Sequence, residues 1–145
     1  MSRRAASLHA RKVRLAIGTV DFTGRLESLA APNSVAWLAD RLPLTGTVMH
    51  ARWSGEAAWM PLGFAAKLDS ENATSYPHPG QLLLYAGDRS EPELLIPYGA
   101  CAFASRAGAL AGNHVATLEG DIDCLRARAE SLLRDGARTL RLTWQ

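Results

Sequence analysis

Short runs of alternating apolar and polar residues recur along nearly the whole chain, cut apart by glycine, proline and asparagine. A period of two sends successive side chains to opposite faces, so such runs read as strands. Val13, Leu15 and Ile17 alternate with Arg14 and Ala16; Val20, Phe22 and Leu26 follow, with Gly24 as a bulge or bend. Gln81–Tyr85 is almost entirely apolar, as a strand buried on both faces would be. Leu94–Tyr98 is another strand, its Pro97 marking an edge or a bulge. Cys101–Phe103 continues it, His114–Leu118 is short, and Thr139–Trp144 lines up Leu140, Leu142 and Trp144 on one face. Only two stretches carry helical spacing. Pro32 opens one that holds Val35, Leu38, Ala39 and Leu42; Asp121 caps another that holds Ile122, Leu125, Ala129, Leu132 and Leu133 and stops at Gly136. Segments 61–80 and 105–113 read as irregular. The pattern predicts a mainly β fold: a closed antiparallel β-barrel of about eight strands with two helices, closure removing any long unpaired edge.

The most legible hairpin joins 47–53 to 56–60 through Ser54-Gly55, read as a two-residue turn. That register sets Met49 opposite Met60, Ala51 opposite Ala58 and Trp53 opposite Glu56 on a core face. His50 opposite Trp59 and Arg52 opposite Ala57 share the other face.

At 145 residues the chain suits one domain, long enough to bury a core without a disulfide or metal staple. Hydrophobic residues make up 48% and charged residues 21%, which excludes a disordered or coiled-coil chain. Five of the 16 cations, Arg3, Arg4, Arg11, Lys12 and Arg14, precede Ala16. The remainder of the chain holds more anions than cations, so no nucleic-acid partner is expected. Residues 1–12 read as a flexible basic N-terminus and 13–145 as a single barrel domain. No apolar stretch is long enough for a membrane helix. Charges interrupt the place where an export signal needs an apolar region, and Cys101 and Cys124 read as buried thiols; the expected location is cytoplasmic.

Several strings carry a family resemblance. Ala31-Pro32-Asn33-Ser34-Val35-Ala36-Trp37-Leu38, His50-Ala51-Arg52, Asp69-Ser70-Glu71-Asn72, Pro79-Gly80-Gln81-Leu82-Leu83 and Leu110-Ala111-Gly112-Asn113-His114-Val115 stand in the order found in cyclophilin-like barrels. The strings His50–Glu56, Glu71–Pro77, Pro97–Cys101 and Ala111–His114 resemble a bacterial cyclophilin-like family known only as a domain of unknown function. The resemblance implies the barrel. It does not extend to prolyl isomerisation, which needs an arginine aimed at the proline nitrogen to weaken the partial double bond. Ala51 occupies the arginine slot and Arg52 is one residue off. Glu93-Leu94-Leu95-Ile96 stands where the pocket-floor Gln-Phe-Phe would be, and Ala109 where a tryptophan would be; His114 keeps its slot.

The candidate ligand-binding residues are His50, Arg52, Glu56, Trp59, Asn72, Tyr76, Tyr98 and His114, gathered at a barrel mouth to hold a small polar or amide-containing metabolite. His50, Arg52 and His114 are the candidates for catalysis, and Glu56 is read as a brace for Arg52. Tyr85 and Glu93 read as strand residues with satisfied polar groups, and Arg106 as a loop cation able to reach a pocket. The alternatives are a small hydrolase or amide-processing enzyme using the same cluster, and an oligomeric subunit whose contact is the hairpin face. No cofactor or metal is expected, since no two histidines have ligand spacing and no phosphate-cradling glycine loop occurs.

Overall fold

The computed structural model describes residues 2–145. Helix α1 (Arg3–His9) precedes strands β1 (Lys12–Ile17) and β2 (Val20–Leu26). Helix α2 (Pro32–Ala39) is followed by β3 (Leu44–His50), β4 (Gly55–Pro61), β5 (Ala73–Thr74), β6 (Gln81–Tyr85), β7 (Glu93–Cys101), β8 (Ala104–Ser105), β9 (Gly108–Ala109) and β10 (Gly112–Leu118). Helices α3 (Ile122–Glu130) and α4 (Leu132–Asp135) and strand β11 (Arg138–Trp144) come last.

Eight strands pair antiparallel in the order β2-β1-β11-β3-β4-β7-β6-β10, and β10 pairs back onto β2. The sheet is therefore shut into the barrel that the alternating sequence predicts. Gly24 sits at the seam, opposite Val13 on one side and Leu118 on the other. A Cβ there would come within 3.2 Å of the Leu118 side chain and the Thr117 carbonyl, so glycine gives the three strands room at their closest approach.

Period two divides the apolar residues into two cores. Inward-facing Val13, Leu15, Ile17, Val48, Ala58, Met60, Leu82, Leu84, Leu94, Ile96, Leu140 and Leu142 fill the barrel, with Val35 and Leu38 of α2 and Leu125 and Ala129 of α3 packed on them. The intervening residues Ala57, Leu83, Tyr85 and Leu95 face outward and form a second core with Phe103 and Leu110. This is why Gln81–Tyr85 is apolar on both faces. The cover is the segment after β7, which forms the β8–β9 hairpin rather than the expected loop.

Three further expectations change, and the one for Pro97 narrows to one of its alternatives. The segment read as a flexible basic leader contains α1, which Ser2 caps and Ala5 and Leu8 anchor by burial. Ser28 donates a buried hydrogen bond to the Ala5 carbonyl, Arg4 pairs with Asp40, and Arg11 lies 3.6 Å over the Trp144 ring. The late helix breaks at Ser131 into α3 and α4. Pro97 belongs to a strand inside the barrel wall, next to a register shift between β4 and β7, so it marks a bulge and not an edge. The β3–β4 register is one residue off the sequence reading: Met49 faces Trp59 and His50 faces Ala58. The slip returns Val48 and His50 to the inner face and puts Met49 with Trp59 on the outer one. Its cause is Ser54, which is no free turn residue. Its carbonyl accepts from Ala102 N–H, and its hydroxyl bonds both the carbonyl and the N–H of Ala104.

Candidate functional site

A cleft of about 530 Å³ opens on the outer wall of the barrel, beside the second core. The loop between β3 and β4 contributes Arg52, Trp53 and Ser54, and the strands beneath contribute Met49, His50, Trp59 and Glu93. The loop before β7 adds Ser90 and Glu91; the β8–β9 hairpin adds Ala104, Ser105 and Arg106. Trp59 is half-buried, and Trp53 is 58% exposed. Arg52 and Arg106 are exposed, and no hydrogen bond or ion pair among the described residues engages either guanidinium.

The outer walls are tied together. Tyr85 donates its hydroxyl to Asp88 and accepts from Arg89 N–H, and the Arg89 guanidinium donates to the carbonyls of Ala107 and Ala109. Arg89 thus straps the loop before β7 to the β8–β9 hairpin. Glu93 lies on the floor between them and is only 7% exposed. No hydrogen bond or ion pair among the described residues reaches its carboxyl. Burial, reinforced by the Glu91 carboxylate, pushes it up to about 7.

His50 reaches the cleft but is held on both ring nitrogens. Nδ1 lies 2.8 Å from the Ala51 carbonyl, an acceptor only, so it carries the proton; Nε2 then accepts from the Tyr98 hydroxyl at 2.7 Å. Burial raises the Tyr98 hydroxyl above its ordinary range, with Glu130 and Glu56 adding and Arg126 opposing. Glu56 accepts from Ala100 N–H at 2.8 Å, which lowers its carboxyl, and pairs with Arg126 of α3. The brace read for Arg52 therefore serves Arg126 instead, because Glu56, at the β4–β7 register shift, meets α3. Gly99 leaves room for this pair: a Cβ there would stand 2.4 Å from Glu56 Oε1.

Other sequence candidates lie elsewhere. His114 Nε2 donates to Thr117 Oγ1 at 2.8 Å, and that hydroxyl donates to Glu27 at 2.7 Å. Burial lowers the His114 ring below its ordinary range, with Glu27 pulling the other way. Asn72, at φ 51°, donates from its side chain to the His114 carbonyl. The acidic string before it is a clasp. Glu71 accepts from Ser34 N–H at the start of α2 and donates its own N–H to Asn113 Oδ1. Buried Asn113 donates to Ser34 Oγ at 2.8 Å and to the Asp69 carbonyl at 3.0 Å. Tyr76 is 73% exposed. None of Glu56, Asn72, Tyr76, Tyr98 and His114 lines the cleft, so the single mouth expected from sequence is dispersed: an outer cleft holds His50, Arg52 and Trp59, Glu56 and Tyr98 stand with Arg126 of α3, and Asn72 and His114 belong to the clasp at β10.

Glu93 is the residue sequence reasoning undervalued. Its signal was its place in the strand: with Leu94, Ile96 and Tyr98 facing in, Glu93 shares the outer row with Leu95, an acid in an apolar row. Among the described residues no three His, Cys, Asp or Glu side chains gather as a metal site would, and no helix is long and apolar enough to cross a membrane. Cys101 and Cys124 are free thiols but not the two buried ones expected, since Cys101 is half-buried and Cys124 exposed; burial pushes Cys101 up to about 11.

Fold and cleft together define a closed eight-stranded barrel with its concavity on the outer wall. The chain belongs to the family described as "Protein of unknown function (DUF3830)", which it matches over residues 13–144. Among solved structures it is similar to McbB in complex with tryptophan, at 16% identity and a TM-score of 0.73, over 90% of this chain. The chain spans 44% of the McbB chain. It is also similar to the solution structure of the hypothetical protein AF2241 from Archaeoglobus fulgidus, at 14% identity and a TM-score of 0.64, each chain covered in full. At such identities the likeness concerns the fold. No curated protein matches the chain.

Proposed function

We propose that this protein binds a small polar metabolite, carrying a carboxylate or amide, in the outer cleft. The observation that carries the reading is the pair of unengaged guanidiniums, Arg52 and Arg106, beside a half-buried tryptophan, Trp59, in a cleft of about 530 Å³. Clefts of about 300–1,000 Å³ with an apolar wall and few polar groups are the usual form of small-molecule sites. A guanidinium offers a planar fork of donors to a carboxylate or amide oxygen. The order of the sequence motifs supports reading the barrel as cyclophilin-like and of bacterial type, and the two free thiols favour a reducing, cytoplasmic setting. A thermal-shift screen of the full chain against a metabolite library tests the proposal, since a ligand raises stability by mass action. A hit that Arg52→Ala and Trp59→Ala both abolish is the expected result. A hit that neither variant affects, or a library without hits, would remove it.

One observation favours a second reading, amide or ester hydrolysis. A carboxyl in the cleft that titrates at about 7 suits general acid–base work at neutral pH. The base would then be Glu93 and not His50, whose Nε2 is occupied by Tyr98. Hydrolysis of a p-nitroanilide or p-nitrophenyl ester panel that Glu93→Gln abolishes would support it; no turnover above the Glu93→Gln background would dismiss it.

A further inference from the structure

Glu93 poses a problem that the cleft reading alone does not answer. A carboxyl on a residue with so little exposure ordinarily meets a cation or several N–H donors. Here Pro61 and Tyr85 are its strand neighbours, neither places a donor on the carboxyl, and Arg52 and Arg106 form no ion pair with it. The floor of the cleft therefore carries an acceptor without a donor, while its exposed flank carries two donors without an acceptor.

We propose that the cleft takes a small amphoteric molecule of the amino-acid class, its basic nitrogen on Glu93, its carboxylate on Arg52 and Arg106, and its side chain against Trp59. The proposal rests on the cleft being a ligand site and specifies the occupant. A single ligand with charges of both signs supplies the missing partner at each end. A simple carboxylate would leave Glu93 unanswered, and a simple amine would leave the guanidiniums so. Trp53 and Trp59 offer flat apolar surface, which favours an aromatic or long aliphatic side chain.

The titratable and charged groups that line the cleft with Glu93 are Glu91 from its own loop, Arg52 and His50 from the β3–β4 hairpin and Arg106 from the β8–β9 hairpin, and Tyr85 is its neighbour on β6. Of these Glu91 opposes ionisation of Glu93. An ammonium group on the ligand favours it, so binding draws the proton off. Affinity for an amphoteric ligand should then fall about tenfold from pH 8 to pH 6, the change in ionised fraction for a group titrating at about 7.

Three probes with the same ring separate the contributions: L-phenylalanine, phenethylamine without the carboxylate, and 3-phenylpropanoate without the amine. Titration calorimetry on the full chain at pH 8 should show L-phenylalanine at least tenfold tighter than either half-ligand. Glu93→Gln should bring L-phenylalanine to the level of 3-phenylpropanoate, and Arg52→Ala with Arg106→Ala should bring it to the level of phenethylamine. The comparison on the unaltered chain needs no variant, so it stands even if one fails to fold. Equal binding of 3-phenylpropanoate and L-phenylalanine, with Glu93→Gln indifferent, would overturn the amphoteric proposal and leave the cleft as a carboxylate site. Absence of binding by all three probes, with a neutral hit in the library screen, would overturn it likewise. An empty screen would remove the cleft reading itself.

Discussion

Arg52 and Asn113 are both polar residues in motif-like strings, and their surroundings give them opposite duties. Arg52 is exposed, unpaired and at the cleft. Arg52→Ala should weaken ligand binding while shifting the melting temperature by less than the equivalent of about 0.5 kcal/mol, as surface substitutions do. A large drop in melting temperature would mark it as structural. Asn113 is buried and joins Ser34, Asp69 and Glu71 through three side-chain hydrogen bonds. Asn113→Ala should cost about 2–4 kcal/mol in denaturant unfolding, because it strands buried partners as well as losing its own bonds. A cost below about 1 kcal/mol would refute the clasp. Arg52 was a candidate from its string alone, whereas the duty of Asn113 was not legible there. Asn113 finds Ser34 79 positions away, and a string of polar residues does not record whom it meets.

At the scale of elements, alternation is local and was readable; registers depend on loops and were less so. Strands β1, β2 and β11 follow directly from spacing, because one buried face fixes which residues turn inward, and β6 follows from an apolar run buried on both faces. The β3–β4 register escaped because Ser54 bonds the stretch 102–104 and holds the loop open. Helix α1 escaped because its apolar contribution is only Ala5 and Leu8 among arginines, too little to show a stripe. Gly55, beside Ser54, has φ 91°, and a Cβ would meet the Ala100 carbonyl oxygen at 2.7 Å. Gly55→Ala should therefore destabilise by about 2 kcal/mol or more, from backbone strain and an immovable neighbour together. Equilibrium unfolding reads this directly, and a neutral result would mean the loop relaxes without strain.

For the whole molecule, one buried and one half-buried group push the pH dependence of stability in opposite directions. Glu93 is raised from 4.5 to about 7 in the folded protein. Its unfolded form ionises first, so stability falls as pH rises between those values, by at most about 3 kcal/mol. His114 is lowered below 6.5, so the neutral ring favours the fold and stability falls as pH drops through its folded range. Glu93→Gln should consequently raise the melting temperature by several degrees at pH 8 and by much less at pH 5. An equal rise at both would show that Glu93 is not protonated by its surroundings.

The barrel interior is filled by side chains, while the cleft hangs outside it on the β3–β4 loop, the loop before β7 and the β8–β9 hairpin. Recognition and architecture are thus written in separate parts of the chain. Lineages sharing this scaffold can reshape the three loops, trading one guest molecule for another, without reopening the problem of how the cylinder shuts. For protein engineers the same separation offers a graftable recess on a wall that tolerates new tenants.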